Sequence, residues 1–444
     1  MVRAGLLIIV LIALIGGAVD ILNTVKFGQI DLRNRVVGAR VMLLDQNPYN
    51  YLWHPGESDK LLDPYPFSQN RLRSAVTVTP TVLAIQAVIA DLPYTQQKFI
   101  WLFVQMALLG GLIWLAMRRA ENPETRAMVL LLGIMFSCST FWRLHVERGQ
   151  AYVLFVFFAV LYIASFAWKS ARRDPWGGFI LGLLVCLRPQ MIFLGWPLLV
   201  YRKWHMVLGA VAGIGIGLLV PTLISKTIWP DYVHAMGTYI PAPLSANAPA
   251  TVTRTVQPVK IDLPNVIEGS SNLNTYAQFG MMDTTVKGAV RFYFHSPTSS
   301  LLLLGLILAG TVAWFIYVFR LRRRGVPLDY CSVMTLGLVL FVETLLPITR
   351  IAYSNVTIIA ISLLLVAIRS RLATMQTWEW VLLLTAWIFS APFPPWMSAG
   401  FRGVALGMVS QCVIMLWAML APWPPLPANT RSTDLNAREQ LAAR

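Results

Sequence analysis

The chain has 444 residues, of which 57% are hydrophobic and only 13% charged, with a mean hydropathy of +0.62; this excludes a water-soluble globular protein. Apolar stretches of roughly 17 to 25 residues recur, each long enough to cross a hydrocarbon core as a helix, and the short alternating strands of a membrane β-barrel are absent. The formal net charge is +16, but the basic residues cluster in short segments between apolar runs, a pattern that sets membrane orientation and excludes a nucleic-acid partner. Cys138, Cys186, Cys331 and Cys412 all lie in apolar runs without CxxC spacing, so neither a metal site nor a disulfide framework is expected.

Taken in chain order, the pattern predicts an all-α polytopic bundle of about twelve spans with both termini cytoplasmic. Arg3 starts inside and an uncleaved first span covers about 4 to 25; residues 26 to 97 then lie outside, with 76 to 93 as an interfacial or re-entrant segment. Spans at 98 to 117 and 127 to 142 flank the cytoplasmic RRAENPETR, RLHVERGQ (143 to 150) lies outside, and 151 to 168 returns to KSARRD. As a single helix, the run 177 to 201 would put every later basic loop on the wrong side of the membrane. Two half-spans meeting at Leu187-Arg188-Pro189-Gln190 repair this, because proline breaks a helix, and they turn Arg188 outward. Further spans follow at about 206 to 228, 298 to 319, 329 to 347, 355 to 368, 377 to 391 and 401 to 421, with RLRRR (320 to 324) and RSR (369 to 371) inside. The organisation is a membrane module over 1–228 that includes the outer loop 26–97, an outer loop at 229–297, a second membrane module over 298–421 and a cytoplasmic tail at 422–444.

Ionisable groups within spans are costly and mark function. Asp20 and Glu343 fall in the outer parts of their helices, and Arg143, His145, Glu147, Arg188 and Arg350 at outer helix ends, which together predict an outward-facing polar cavity. In the outer loop, Leu32, Val36, Val37, Val41 and Leu44 recur at helical spacing, so 30 to 49 is expected to lie as an amphipathic helix along the membrane surface. Asp31 at its start has two readings. It N-caps the helix and faces Arg35 one turn on, or it is a general base at the interface with Arg33, Arg35 and Arg40 holding a phosphate. Spacing does not separate the two.

The segment from Asp31 through Asn47-Pro48-Tyr49 resembles the first outer loop of the GT-C glycosyltransferases of family 87, which are related to the polyprenyl-phosphate-mannose-dependent mannosyltransferases. The likeness continues in HVERGQAYVLFVFFAVLYIAS (145 to 165), with a Gly149-Gln150 pair opening an apolar helix. It also continues in GGFILGLLVCLRPQMIFLGWPLLVYRKWH (177 to 205), a glycine-rich half-span ending in a basic residue before proline, and more weakly in TRIAYSNV (349 to 356). Two departures stand out: Tyr65-Pro66-Phe67 replaces an aromatic-Pro-Pro, and Arg188 replaces a commoner lysine, a mild change because arginine also binds phosphate.

The resemblance implies an inverting transfer in which Asp31, as catalytic base, activates an acceptor hydroxyl. That hydroxyl displaces a polyprenyl phosphate from the anomeric carbon of a mannose-like hexose or a pentose, with no metal or other cofactor. It implies substrate-binding roles for Arg33, Arg35, Arg188 and Arg350 near phosphate and for His145, Glu147, Gln150, Gln190 and Tyr353 near sugar or acceptor. Trp53, Trp142 and Trp229 are candidates for stacking on sugar, and His54 and His295 for lining the site. The implied partners are a polyprenyl-phosphate sugar, a lipid or glycan acceptor and membrane lipids, with the active site on the extracytoplasmic face of the plasma (inner) membrane. DxD, Walker A, GxGxxG and HExxH motifs are absent. The competing reading is a transporter or flippase, which places polar groups near the midplane of many spans; the mostly apolar span centres disfavour it.

Overall fold

A computed structural model describes residues 2–49, 51–65, 72–74, 76–120, 122–168, 173–239 and 300–345, with short pieces at 356–357, 363–364, 376–378 and 380–381. The elements are helices except for one two-residue strand pair. They are α1 (Val2–Lys26), α2 (Ile30–Leu43), β1 (Tyr51–Leu52), β2 (Arg73–Ser74), α3 (Pro80–Ala87), α4 (Tyr94–Arg119), α5 (Pro123–Ser137), α6 (Thr140–Arg148), α7 (Tyr152–Ser165), α8 (Arg173–Leu187), α9 (Gly195–Val200), α10 (Trp204–Ile224), α11 (Ile228–Tyr239), α12 (Ser300–Arg323) and α13 (Leu328–Leu345). Local chemistry sets several boundaries. Asn122 caps α5 by accepting from Thr125 N, and Pro123 opens the helix without sacrificing a bonded N–H. Ser139 caps α6, and Gly149, at φ +66°, ends it in the left-handed conformation that glycine adopts without strain.

The basic-Pro break stands where the sequence puts it: α8 stops at Leu187, Arg188 is extended (φ −149°, ψ 94°) as the residue before proline prefers, and a 3-10 turn over Pro189–Leu194 leads into α9. The glycines explain the path that follows. Gly178 lies against Met206, Gly182 against Ala210 and Gly213, and Gly217 against Cys186, so the two helices advance together, side by side and parallel. The backbones nearly touch; a Cβ on Gly178 would stand 1.9 Å from the Met206 carbonyl oxygen. Parallel neighbours require the chain between them to return, and residues 189–200 do this. Lys203 Nζ, 3.5 Å from Asp174, ties the two helix starts together. Arg188 and Lys203 therefore sit at opposite ends of the pair, about 22 Å apart by helix rise.

Further contacts fall at the same two ends. At one, Arg119 pairs with Asp329, Arg322 donates to the Val200 carbonyl, and the Tyr201 hydroxyl donates to Val326 O at 2.6 Å. At the other, Tyr94 donates to Gly28 O at 2.7 Å, Trp101 Nε1 to Gln150 O at 3.2 Å, and Thr79 Oγ1 to Leu187 O at 3.3 Å.

Two expectations meet these elements. About twelve spans were expected; among the described residues three helices are long and apolar enough to cross a membrane: Tyr94–Arg119, Trp204–Ile224 and Leu304–Arg323. The count rises to five if the bent pairs α1 with α2 (58°) and α5 with α6 (54°) each count as one. Several apolar runs fold as helices such as Tyr152–Ser165 and Asp174–Leu187, shorter than the ~20 residues a straight span needs. The expected spans 355 to 368, 377 to 391 and 401 to 421 lie largely or wholly outside the described residues, as does the tail.

The second expectation concerns α2, expected along the membrane surface. It is enclosed, with Leu32, Arg33, Arg35, Val36, Val37, Gly38, Ala39, Val41 and Met42 all buried. Val37 and Val41 meet Tyr51 and Leu61, while Val76 and Leu83 from the α3 segment close on Gly38. The 76 to 93 segment is accordingly a wedge, with Thr81 Oγ1 bonded to Gly217 O at 3.0 Å on α10.

A single cysteine at Gln190 in a cysteine-free chain is expected to react with an impermeant thiol reagent applied from outside the cell, and one at Lys203 to stay unlabelled. Labelling at Lys203 would reverse the sidedness.

Candidate active site

The candidate site assembles where α1 turns into α2. Gln29 makes the turn in a left-handed conformation (φ 52°, ψ 62°), a mildly strained choice for a non-glycine residue. Surrounding bonds hold it there: Gln29 Nε2 donates to Val146 O at 3.2 Å, and Lys98 Nζ to Phe27 O at 2.8 Å. The turn makes Gln29 the residue before the helix, so Asp31 falls inside the first turn of α2 and does not cap it. Asp31 takes a partner from another helix. Its Oδ2 accepts from Arg148 Nε, the last residue of α6, at 2.6 Å, with the two side chains 24% and 20% exposed. A carboxylate in the first turn is favoured by the α2 dipole, and an arginine in the last turn by that of α6.

The end of α6 is pinned against α2. A Cβ on Gly149 would stand 2.7 Å from Leu32 Cβ, so only glycine permits the approach. The Gly149 carbonyl accepts from Arg35, whose guanidinium also lies 4.8 Å from the centroid of Trp101. Arg33 is likewise buried, 3.5 Å from Asp63 and 4.8 Å from the Tyr65 ring. Arg40 donates to Ala90 O at 2.8 Å and Lys60 O at 2.7 Å. In this arrangement the α2 arginines hold the outer loop and α4 to the helix. Desolvating a guanidinium is tolerated only with such partners, which helical spacing does not reveal.

His145 is fully buried, stacked on Trp142 at 5.5 Å and accepting from Val153 N at 3.2 Å, which joins α6 to the start of α7. Trp142, a candidate for stacking on sugar, is also fully enclosed and donates to Asp20 at 2.8 Å. The Gln150 carbonyl accepts from Trp101 and from Gln105 Nε2 at 2.9 Å, and Glu147 is nearly buried. Asp20 Oδ1, Thr24 Oγ1 and His145 Nδ1 are buried without a hydrogen-bond partner among the described residues, so a polar layer underlies the site.

Arg188 packs its guanidinium 4.7 Å from the Tyr152 ring and 5.4 Å from Phe155, on the first turn of α7. Tyr152 is four residues beyond Arg148, so Arg188 and the Asp31 pair share one end of the molecule. Over this end, Tyr49 and Tyr232 approach at 5.6 Å. Burial raises the phenol pKa of Tyr232, against the pull of the Arg188 charge, and burial holds that of Tyr49 high, so Tyr49 stays a neutral donor to Val78 O at 3.2 Å. Gln190 follows Arg188 in the 3-10 turn. Trp53 Nε1 donates to Ser58 O, Trp229 Nε1 to Leu218 O, and His54 pairs with Glu57 in an exposed loop. Arg350, Tyr353, His295 and the Glu343 side chain lie outside the described residues, as does Cys412. Among the described residues, no three His, Cys, Asp or Glu side chains come together as a metal site.

Arg148 is the residue the sequence reading passed over. Glycine after a basic residue marks a helix end, which is legible locally, but its partner is 117 positions away.

The long apolar helices and this site define a helical membrane protein with a polar cluster around Asp31 and Arg148 at one end of the bundle. The sequence model of glycosyltransferase family 87 matches residues 77–349, more than half of the chain. The chain belongs to this family and is a membrane glycosyltransferase. No curated protein and no solved structure matches it. The matched region contains His145, Glu147, Arg148, Gln150, Arg188 and Gln190. Asp31 precedes it and joins it through the Arg148 contact.

Proposed function

We propose that the protein transfers a sugar from a polyprenyl-phosphate donor to an extracytoplasmic lipid or glycan hydroxyl, with inversion, and that Asp31 is the general base. The observation that carries this reading is the Asp31 carboxylate itself, which is a quarter exposed, takes no part in capping α2 and stands beside a cation. The acceptor proton passes to Asp31, the acceptor oxygen bonds the anomeric carbon, and the carbon–oxygen bond to phosphate breaks with its electron pair leaving on phosphate. Such a leaving group needs positioning, a base and positive charge more than covalent help. Arg188 supplies charge from the break after α8, beside the first turn of α7, with Arg350 as a second phosphate contact. Gln150, Glu147, Gln190 and Tyr353 contribute hydrogen bonds to sugar or acceptor. Arg33, Arg35 and His145 act by positioning, since each is buried against a partner. The test is incubation of the purified protein with a panel of polyprenyl-phosphate sugars: release of the polyprenyl phosphate is expected from at least one. No release from any, alongside transfer from a nucleotide sugar, overturns the donor class.

A further inference from the structure

We infer that Arg148 is a donor-responsive latch on Asp31: it holds the carboxylate while the donor is absent and moves to the donor phosphate on binding, leaving Asp31 to take the acceptor proton. The inference rests on the polyprenyl-phosphate reading above and adds an order of events to it.

Arg148 Nε, 2.6 Å from Asp31 Oδ2, occupies one of the two carboxylate oxygens that could take the acceptor proton. An acceptor hydroxyl reaches that oxygen once the guanidinium moves aside. The surroundings supply a reason to expect exchange. The arginines of α2 are engaged elsewhere: Arg33 with Asp63, Arg35 with the Gly149 carbonyl, and Arg40 with Ala90 and Lys60. Those on Arg33 and Arg35 are buried contacts, 3% and 10% exposed in the Arg33 pair, whereas the side chains of Arg148 and Asp31 are 20% and 24% exposed. Gly149 and Leu32 lock the backbone of α6 onto α2, so the movement needed is confined to one long side chain. The chemistry rewards it as well. A sugar phosphodiester carries one negative charge and the departing polyprenyl phosphate nearly two, so a guanidinium on that phosphate is held more tightly as the bond breaks.

The test measures binding of farnesyl phosphate to the full chain in detergent for the wild type, Asp31→Asn, Arg148→Gln and the double variant. Removing the competing carboxylate is expected to tighten binding about three- to fivefold, the worth of a partly exposed ion pair. Arg148→Gln is expected to weaken it at least tenfold, as loss of a charge-assisted phosphate contact does. The gain from Asp31→Asn should vanish in the Arg148→Gln background. An equal gain in both backgrounds means a general field effect and overturns the latch, and so does the absence of any gain. If Arg148→Gln melts early, Arg148→Lys takes its place, with a smaller loss and the same collapse of the gain expected. A wild type that turns over a panel donor but shows no gain on Asp31→Asn overturns the latch alone. A wild type that neither binds farnesyl phosphate nor turns over any panel donor overturns the donor reading, and the latch with it.

Discussion

Asp31→Asn is expected to abolish sugar transfer while leaving expression and melting temperature close to wild type. Loss of a general base costs about 10²- to 10⁴-fold in rate, and asparagine keeps the size and hydrogen-bonding shape of the side chain without accepting a proton. The structural cost is small because Asp31 does not cap α2. What it loses is one ion pair with side chains 24% and 20% exposed, worth no more than ~1 kcal/mol. Arg148→Gln breaks the same pair from the other side, so a purely structural role for the contact predicts equal melting shifts and equal activities for the two variants. Asp31→Glu keeps the charge but moves it by about one methylene, enough to cost on the order of 10²-fold. Near-native transfer by Asp31→Asn would remove Asp31 as the base.

Arg188→Gln is expected to weaken donor binding by about 2 to 4 kcal/mol, roughly 30- to 1000-fold in Kd, if its guanidinium meets the phosphate in a partly dehydrated site. The stacking of Arg188 on Tyr152 and Phe155 sets the competing structural expectation, since a cation over aromatic faces contributes about 0.5 to 2 kcal/mol to folding. Donor affinity and melting temperature measured on one preparation separate the two. Arg188→Lys keeps the charge but loses the planar fork and the stacking geometry, so an intermediate affinity is expected. Unchanged donor affinity in Arg188→Gln would assign the residue to packing on α7.

The sequence by itself determined the class of protein and the break at Arg188-Pro189. Both are local consequences: the length of an apolar run against the membrane thickness, and the effect of proline on the residue before it. The motif containing Gly149 and Gln150 was legible for the same reason, since a glycine ending one helix and an apolar run starting the next are features of adjacent residues. Only the tertiary structure decided what the charged side chains touch. Helical spacing pairs Asp31 with Arg35. The fold sends Arg35 to the Gly149 carbonyl 114 positions away and gives Asp31 to Arg148, because a guanidinium leaving water goes where an acceptor already waits. Burial of α2 was equally hidden. Its arginines read as phosphate-holding side chains on a membrane-surface helix, and in the fold Asp63, Tyr65 and Trp101, from the outer loop and α4, cover Arg33 and Arg35. The parallel course of α8 and α10 follows from glycines on both helices letting two backbones meet, a property of the pair that neither sequence stretch carries alone.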